Sequence, residues 1–319
     1  MDRTSRYHHQ SVTPADIPLI RSFMSNAQVG ADVPWNWLCD RLSFTFAVSC
    51  TMHETSEDEW ASRAAIFRDE RGDIASIVLT EGENRGECFF MSEPDELPEP
   101  LIREMFDFAI EHSSSATDDG RRGLYLRVDP RFPERARLAI ELGFTRAGWS
   151  EPLARMAIEP FEHGVTADSA SVVACGGAPD GYTLIEAPDP RLKAECHSRS
   201  FGYADDSEMR SRNEAGFHKL TTMPDYAPFL DLMLIDSNGE PAAMMGFWHD
   251  PLLRMAMLEP AGTVPDHRRR GLGSVLIDAG VARLRRLGAR SLWVGSDQPF
   301  YLGSGFTVVH RWDVYEKVW

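Results

Sequence analysis

Lysine is almost missing from this 319-residue chain, and residues 1–180 contain none; their 17 arginines face 31 acidic side chains, a net of −14. Such a surface repels nucleic acid and anionic lipid, both of which need basic partners. Residues 181–319 are nearly balanced, with 16 basic and 18 acidic groups. Cysteine is also scarce. Cys39, Cys50, Cys88, Cys175 and Cys196 are an odd set with no Cys-x-x-Cys pair. That argues against a disulfide framework and a structural zinc site, and for a reducing compartment. No apolar run approaches a membrane span, and the N-terminus has no signal-peptide layout. The expectations are a cytoplasmic protein with no bound metal, no nucleic-acid partner and no membrane partner.

What is present centres on Val264-Pro265-Asp266-His267-Arg268-Arg269-Arg270-Gly271-Leu272-Gly273. An apolar strand-like run, Met255 to Leu258, precedes it, and an amphipathic helix-like run, Ser274 to Leu287, follows. A glycine loop feeding a helix N-terminus points backbone N–H groups at one oxyanion, with the helix dipole behind them. Gly271 and Gly273 lack Cβ atoms and so admit a phosphate close to the backbone. Arg268, Arg269 and Arg270 add charge-assisted donors. The inference is a pyrophosphate cradle. It is neither a Walker loop, since no Gly-Lys-Ser/Thr follows, nor a dinucleotide fingerprint, since the three-glycine spacing is missing.

Along the chain, Leu19 to Met24 reads as a helix, and Trp35, Trp37 and Leu38 as a second helical piece. Ala64–Phe67, Ile74–Leu79, Glu87–Met91 and Gly123–Val128 read as strands, with helices at Pro100–His112 and Glu134–Leu142. A strand lies near Ala154–Ile158. Residues 161–180 are a linker, rich in Gly, Ala, Ser and Asp. The pattern then restarts with a strand at Tyr182, a helix near Pro190–Arg199, and a hairpin turning at Asn238-Gly239. Two further strands surround a short helix at Pro299–Gly303. Leu142-Gly143-Phe144 and Ser304-Gly305-Phe306 occupy matching places in the two halves. This internal repeat implies two copies of one domain, 1–160 and 181–319.

The spacing Arg268-x-x-Gly271-x-Gly273 after Val-x-Pro resembles the acyl-coenzyme A loop of the GCN5-related N-acetyltransferases. Phe300-Tyr301-Leu302-Gly303-Ser304-Gly305-Phe306 resembles that family's Phe-Tyr-x-x-x-Gly-Phe segment. The resemblance implies an α/β (α+β) fold of two tandem domains, each a mixed, mostly antiparallel sheet that splays open, flanked by helices. It implies acetyl-coenzyme A as co-substrate, held by Gly262, Thr263 and Val264 and by Arg268 through Ser274. Backbone N–H groups around Gly262 to Val264 would meet the oxyanion. It carries the role of thiolate acid onto Tyr301, and a phenol with pKa near 10 suits that role. Glu259 is the candidate base. It lies two residues beyond the commoner family position, here Met257, and so shares its strand parity unless a bulge intervenes. His249, Asp250 and the terminal carboxylate of Trp319 are further candidates. Cys196 has no apparent partner base and is a poor nucleophile.

The loop in the first half that matches the cradle, Ser92-Glu93-Pro94-Asp95-Glu96-Leu97-Pro98-Glu99-Pro100, has no glycine, four acids and three prolines. It would repel a pyrophosphate, and prolines supply no N–H donors. The first copy is therefore expected to be degenerate, a scaffold or a wall of the acceptor site. The expected activity is N-acetylation of a primary amine on a small-molecule acceptor by direct attack, in a monomer or homodimer. The alternatives are a coenzyme A sensor without turnover, another acyl donor, or an O-acceptor.

Overall fold

The computed structural model describes residues 7–83, 86–117, 119–160 and 178–319, so the linker expected at 161–180 lies outside the described residues up to 177. The chain forms two compact units, Met1–Leu153 with Val308–Trp319, and Ala154–Thr307.

The first unit contains strands β1 (His8–Ser11), β2 (Ala65–Arg68), β3 (Ile74–Leu79), β4 (Glu87–Ser92), the short β5 (Ser115–Ala116), β6 (Arg122–Val128) and most of β7 (Thr145–Ala157). Its helices are α1 (Ile17–Ala27), α2 (Cys39–Phe44), α3 (Cys50–Met52), α4 (Glu57–Ser62), α5 (Glu99–Phe108) and α6 (Pro133–Glu141). The second unit contains β8 (Tyr182–Glu186), α7 (Pro190–Phe201), α8 (Ser207–Leu220), β9 (Asp231–Asp236), β10 (Pro241–Asp250), β11 (Met255–Thr263), α9 (Leu272–Arg286), β12 (Ser291–Val294) and α10 (Pro299–Gly303). The final strand, β13 (Thr307–Val318), returns to the first unit.

Strand order in the first unit is β1-β2-β3-β4-β6-β13-β7, and in the second β7-β12-β11-β10-β9-β8. The division at 160 and 181 expected from the repeat therefore needs correction at both ends. Asp313 to Val318 of β13 pair with Val128 to Gly123 of β6, while Ala154 to Ala157 of β7 pair with β12. Hydrophobic periodicity reveals that a strand exists, not which strand it pairs with, so this exchange of last strands is invisible to it.

Local signals place the elements that carry the site. Asp189 caps α7 by accepting the Arg191 N–H at 2.9 Å, Pro190 opens it, and Gly202 at φ 83° closes it. Asp206 caps α8 through the Met209 N–H, also at 2.9 Å. The Asn-Gly hairpin turn joins β9 to β10, with Asp236 accepting the Asn238 and Glu240 N–H groups at 2.8 and 2.9 Å. Val264 packs with Cys196, Met233 and Met244 in a buried cluster, which ties the start of the glycine loop to α7 and the sheet. In the first unit, α5 buries Leu101, Ile102, Met105 and Phe106 in a core with Phe90, Leu126 and Phe144.

The helical piece expected at Trp35 to Leu38 is irregular instead, and α2 starts at Cys39. The N–H groups of Trp35 and Asn36 both donate to the side-chain oxygen of buried Gln28, at 2.8 and 2.9 Å. A side chain has taken the donors that a helix would have used.

The β4–β6 and β11–β12 pairs are parallel and short. Glu87, Cys88 and Phe89 pair with Tyr125, Leu126 and Arg127; Met255, Ala256 and Met257 pair with Ser291, Leu292 and Trp293. Beyond those three pairs each couple of strands parts.

The exchanged strand makes residues 1–160 incomplete as a folding unit. That fragment expressed alone should lack a cooperative unfolding transition, and adding a peptide of residues 307–319 should restore one, as read by circular dichroism. A fragment that unfolds cooperatively without the peptide would contradict the assignment of β13 to the first unit.

Candidate active site

The second unit's site lies where β11 leaves β12. Opposite Gly246 of β10, β11 carries a bulge made of Glu259 and Pro260, joined by a cis peptide bond. A Cβ on Gly246 would lie 2.6 Å from the Glu259 carbonyl oxygen, so this position needs glycine. The Trp248 indole donates to the same carbonyl at 2.7 Å. The bulge falls after Met257, and the burial alternation of β11 keeps Glu259 on the parity of Met257.

Tyr301 sits in α10, with its ring packed edge-on to Phe306 at 5.8 Å and Phe300 at 5.1 Å. Burial, and then the nearby Glu259 charge, push its phenol up to about 12. The two residues singled out for chemistry are thus close enough to feel each other. A phenol so held stays protonated at neutral pH and can act as a donor. Glu259 also lines a small cavity with Lys193, Tyr226, Asp231, Gly246 and Trp248, which has room for about one water (≈ 10 Å³).

Behind that cavity is a polar group that sequence reasoning missed. Lys193 of α7 is paired with Asp231 of β9 at 2.7 and 2.8 Å, both side chains almost fully buried. The Tyr226 hydroxyl donates to the same carboxylate at 2.9 Å. Burial and the Asp231 charge hold that phenol above its ordinary range. Such a pair is kept in the interior only when both partners are satisfied. A lysine in so lysine-poor a chain, inside an amphipathic helix, was the available signal.

The glycine loop has the expected order with one redistribution of roles. Pro265–His267 make a 3-10 turn, Arg269 and Gly271 are left-handed at φ 60° and 76°, and α9 starts at Leu272. Gly271 gives the helix no side-chain cap, so no capping side chain meets its first N–H groups. Leu272 is buried beneath the loop, Ser274 is exposed, and Gly273 lies under the Phe300 ring. Gly262 is pressed against Ser200 of α7, and Thr263 pairs with Ala243.

One expected donor is spent inside the protein and a second is partly engaged there. The Val264 N–H donates to the Ala242 carbonyl at 2.9 Å, which removes it as an oxyanion donor. Arg268 donates to the carbonyls of Thr263 and Ser200 at 3.0 and 2.9 Å, and so braces the loop against the end of α7.

Asp250 accepts the Leu252 and Leu253 N–H groups at 2.9 and 3.0 Å and so shapes a turn. Burial lowers the pKa of His249. Trp319 exchanges backbone hydrogen bonds with Arg122 in the first unit. Burial pushes the Cys196 thiol up to about 12, which keeps it from being a thiolate nucleophile.

The same places in the first unit are built differently. Met91 has the place in the first unit that Glu259 has in the second, two residues past the last parallel pair of its strand. α6 and α10 both open with a proline five residues after the strand, and their third residues are Arg135 and Tyr301. Arg135 is buried, donating to the Ser92 hydroxyl at 2.6 Å, with Glu96 at 3.7 Å. Burial lowers its guanidinium to about 10. Asn36 bonds both the N–H and the carbonyl of Ser92, each at 2.9 Å. The end of β4 is closed by side chains of its own unit.

The family model of the acetyltransferase (GNAT) family matches residues 194–306. No curated protein matches the sequence significantly. Among solved structures, a GCN5-related N-acetyltransferase from Sphaerobacter thermophilus is similar over 98% of this chain and 96% of its own, with a TM-score of 0.59 at 16% identity. A tandem GNAT protein from the clavulanic acid biosynthesis pathway is similar over 98% of both chains, with a TM-score of 0.60 at 13% identity. Saccharomyces cerevisiae N-myristoyltransferase, solved with myristoyl-CoA, covers 99% of this chain and 81% of its own, with a TM-score of 0.55 at 9% identity. At these identities the likeness is one of fold, and it is the tandem fold expected above.

Adding a methyl at Gly246 should force the bulge at Glu259 to move, because the obstacle is backbone. Gly246→Ala should lower unfolding free energy by about 1–3 kcal/mol, as measured by urea denaturation. An unchanged midpoint would show that the bulge does not press on this position.

Proposed function

We propose, for a chain whose residues 194–306 match the model of the acetyltransferase (GNAT) family, that the second unit transfers an acetyl group from acetyl-coenzyme A to a primary amine of a small molecule. The observation that carries this reading is a protonated Tyr301 that feels the charge of Glu259, itself just past the point where β11 and β12 part, together with a helix N-terminus that has no side-chain cap. The coenzyme's pyrophosphate would rest on the N–H groups of Gly271 to Ser274, with Arg269 and Arg270 alongside. Its pantetheine arm would run along the free edge of β11 like an added strand.

In the transfer, Glu259 takes a proton from the acceptor ammonium, directly or through the water that its cavity can hold. The neutral amine attacks the thioester carbonyl and the new C–N bond forms. Backbone N–H groups of β11 stabilise the tetrahedral oxyanion, since that of Val264 is bonded to Ala242. The C–S bond then breaks, and Tyr301 gives its proton to the departing thiolate. The tyrosinate recovers a proton from the acylated nitrogen, so no acyl-enzyme is formed and Cys196 has no part. The first unit supplies the fold's second half and takes no coenzyme.

An amine-library screen by free-thiol release tests the activity, and Tyr301→Phe tests the mechanism. Removing the phenol proton should lower kcat by roughly 100-fold or more, the usual span for a general acid starting there, while acetyl-coenzyme A binding by calorimetry stays unchanged. Equal rates would remove Tyr301 as the acid. Coenzyme binding without thiol release for any amine would favour a sensor instead.

A further inference from the structure

Beside the glycine loop, three side chains form a cluster of which the reaction above uses only Arg270. The Arg270 guanidinium donates to the Tyr182 hydroxyl at 3.0 Å and to the Asp266 carbonyl at 3.0 Å. The Tyr182 oxygen also lies 2.9 Å from His267 Nδ1, with the two rings edge-on at 5.7 Å. Tyr182 starts β8, at the edge of the second unit's sheet, so it is the strand that holds both loop residues.

A guanidinium only donates, and a phenol has one proton to give. The arrangement that uses that proton within the cluster places it on His267 Nδ1. The imidazole proton is then on Nε2, directed away from Tyr182. Arg270 keeps three N–H groups beyond the two it uses here. The cluster thus presents a guanidinium and an imidazole donor from a fixed frame, at the loop's outer rim. Asp236, whose charge His267 feels, is already occupied by the N–H groups of its own hairpin turn.

We propose that this cluster binds a phosphomonoester, the 3′-phosphate of coenzyme A, and that Tyr182 is the positioning residue that aligns His267 and Arg270 for it. The inference rests on the coenzyme reading of the cradle. A phosphomonoester carries between one and two negative charges near neutral pH and three acceptor oxygens. It matches two charge-capable donors better than a bridging phosphate with a single charge does. The loop then divides its work. Arg268 braces the side toward α7, the α9 N-terminus takes the pyrophosphate, and the Tyr182 side reads whether the third phosphate is present.

The test is calorimetric titration of the full chain with acetyl-coenzyme A and with its 3′-dephospho analogue. Wild type should prefer acetyl-coenzyme A by about tenfold, the scale of one charge-assisted hydrogen bond. Tyr182→Phe keeps the ring against His267 and removes the hydroxyl. It should lose most of that preference by weakening acetyl-coenzyme A alone, and His267→Ala should do the same. Equal wild-type affinity for the two ligands would overturn the inference and leave the cradle reading intact. So would a Tyr182→Phe variant that weakens both ligands equally, which marks a structural role. Failure of wild type to bind either ligand would overturn the cradle reading, and this inference with it.

Discussion

Two parallel strand pairs that stop after three residues are the constraint on which this protein depends. Where β11 leaves β12, and where β4 leaves β6, backbone donors and acceptors lose their ladder partners and need others. The first unit answers with its own side chains. Asn36 meets both backbone groups of Ser92, and Arg135 fills in behind its hydroxyl. The second unit places Glu259, Tyr301 and an uncapped helix start around the corresponding parting. One geometry thus gives an end closed by side chains in one unit and the proposed reaction site in the other.

Charge reinforces that difference. In the first unit, Arg127 bridges Glu87 and Glu151 at 2.8 and 3.0 Å, and Arg41 joins Glu151 at 2.8 Å. Burial nevertheless raises Glu87 to about 7, while the two arginines outweigh burial at Glu151 and hold it near 2. These groups satisfy one another and rigidify a folded unit. In the second unit the buried pair of Lys193 and Asp231 is self-contained, with Tyr226 completing it, and it borders the cavity that Glu259 also lines. Removing one member would leave the other charged and buried, at a cost of about 3–5 kcal/mol.

Much of the site was legible in residue order. Gly271 is needed for a left-handed turn, α9 has a clear apolar period, and Tyr301 follows β12 at a recognisable distance. These are local facts, and sequence records local facts directly. The exchange of β7 and β13 was not legible, because pairing partners leave no trace in periodicity. The role of Arg135 was hidden for a related reason. Matching the halves at Gly143 and Gly305 sets Tyr301 against Ala139, whereas matching at the helix-opening prolines sets it against Arg135; α10 is four residues shorter than α6. Nor does a run of three arginines reveal that Arg268 is spent on Thr263 and Ser200 while Arg270 turns to Tyr182.

A chain with two copies of a fold is thus proposed to hold one working coenzyme site. The most direct measurement is the stoichiometry of acetyl-coenzyme A bound to the full chain at saturation. One equivalent per chain is expected. Two equivalents would show that the first unit's parting is open after all, and none would remove the coenzyme from the second.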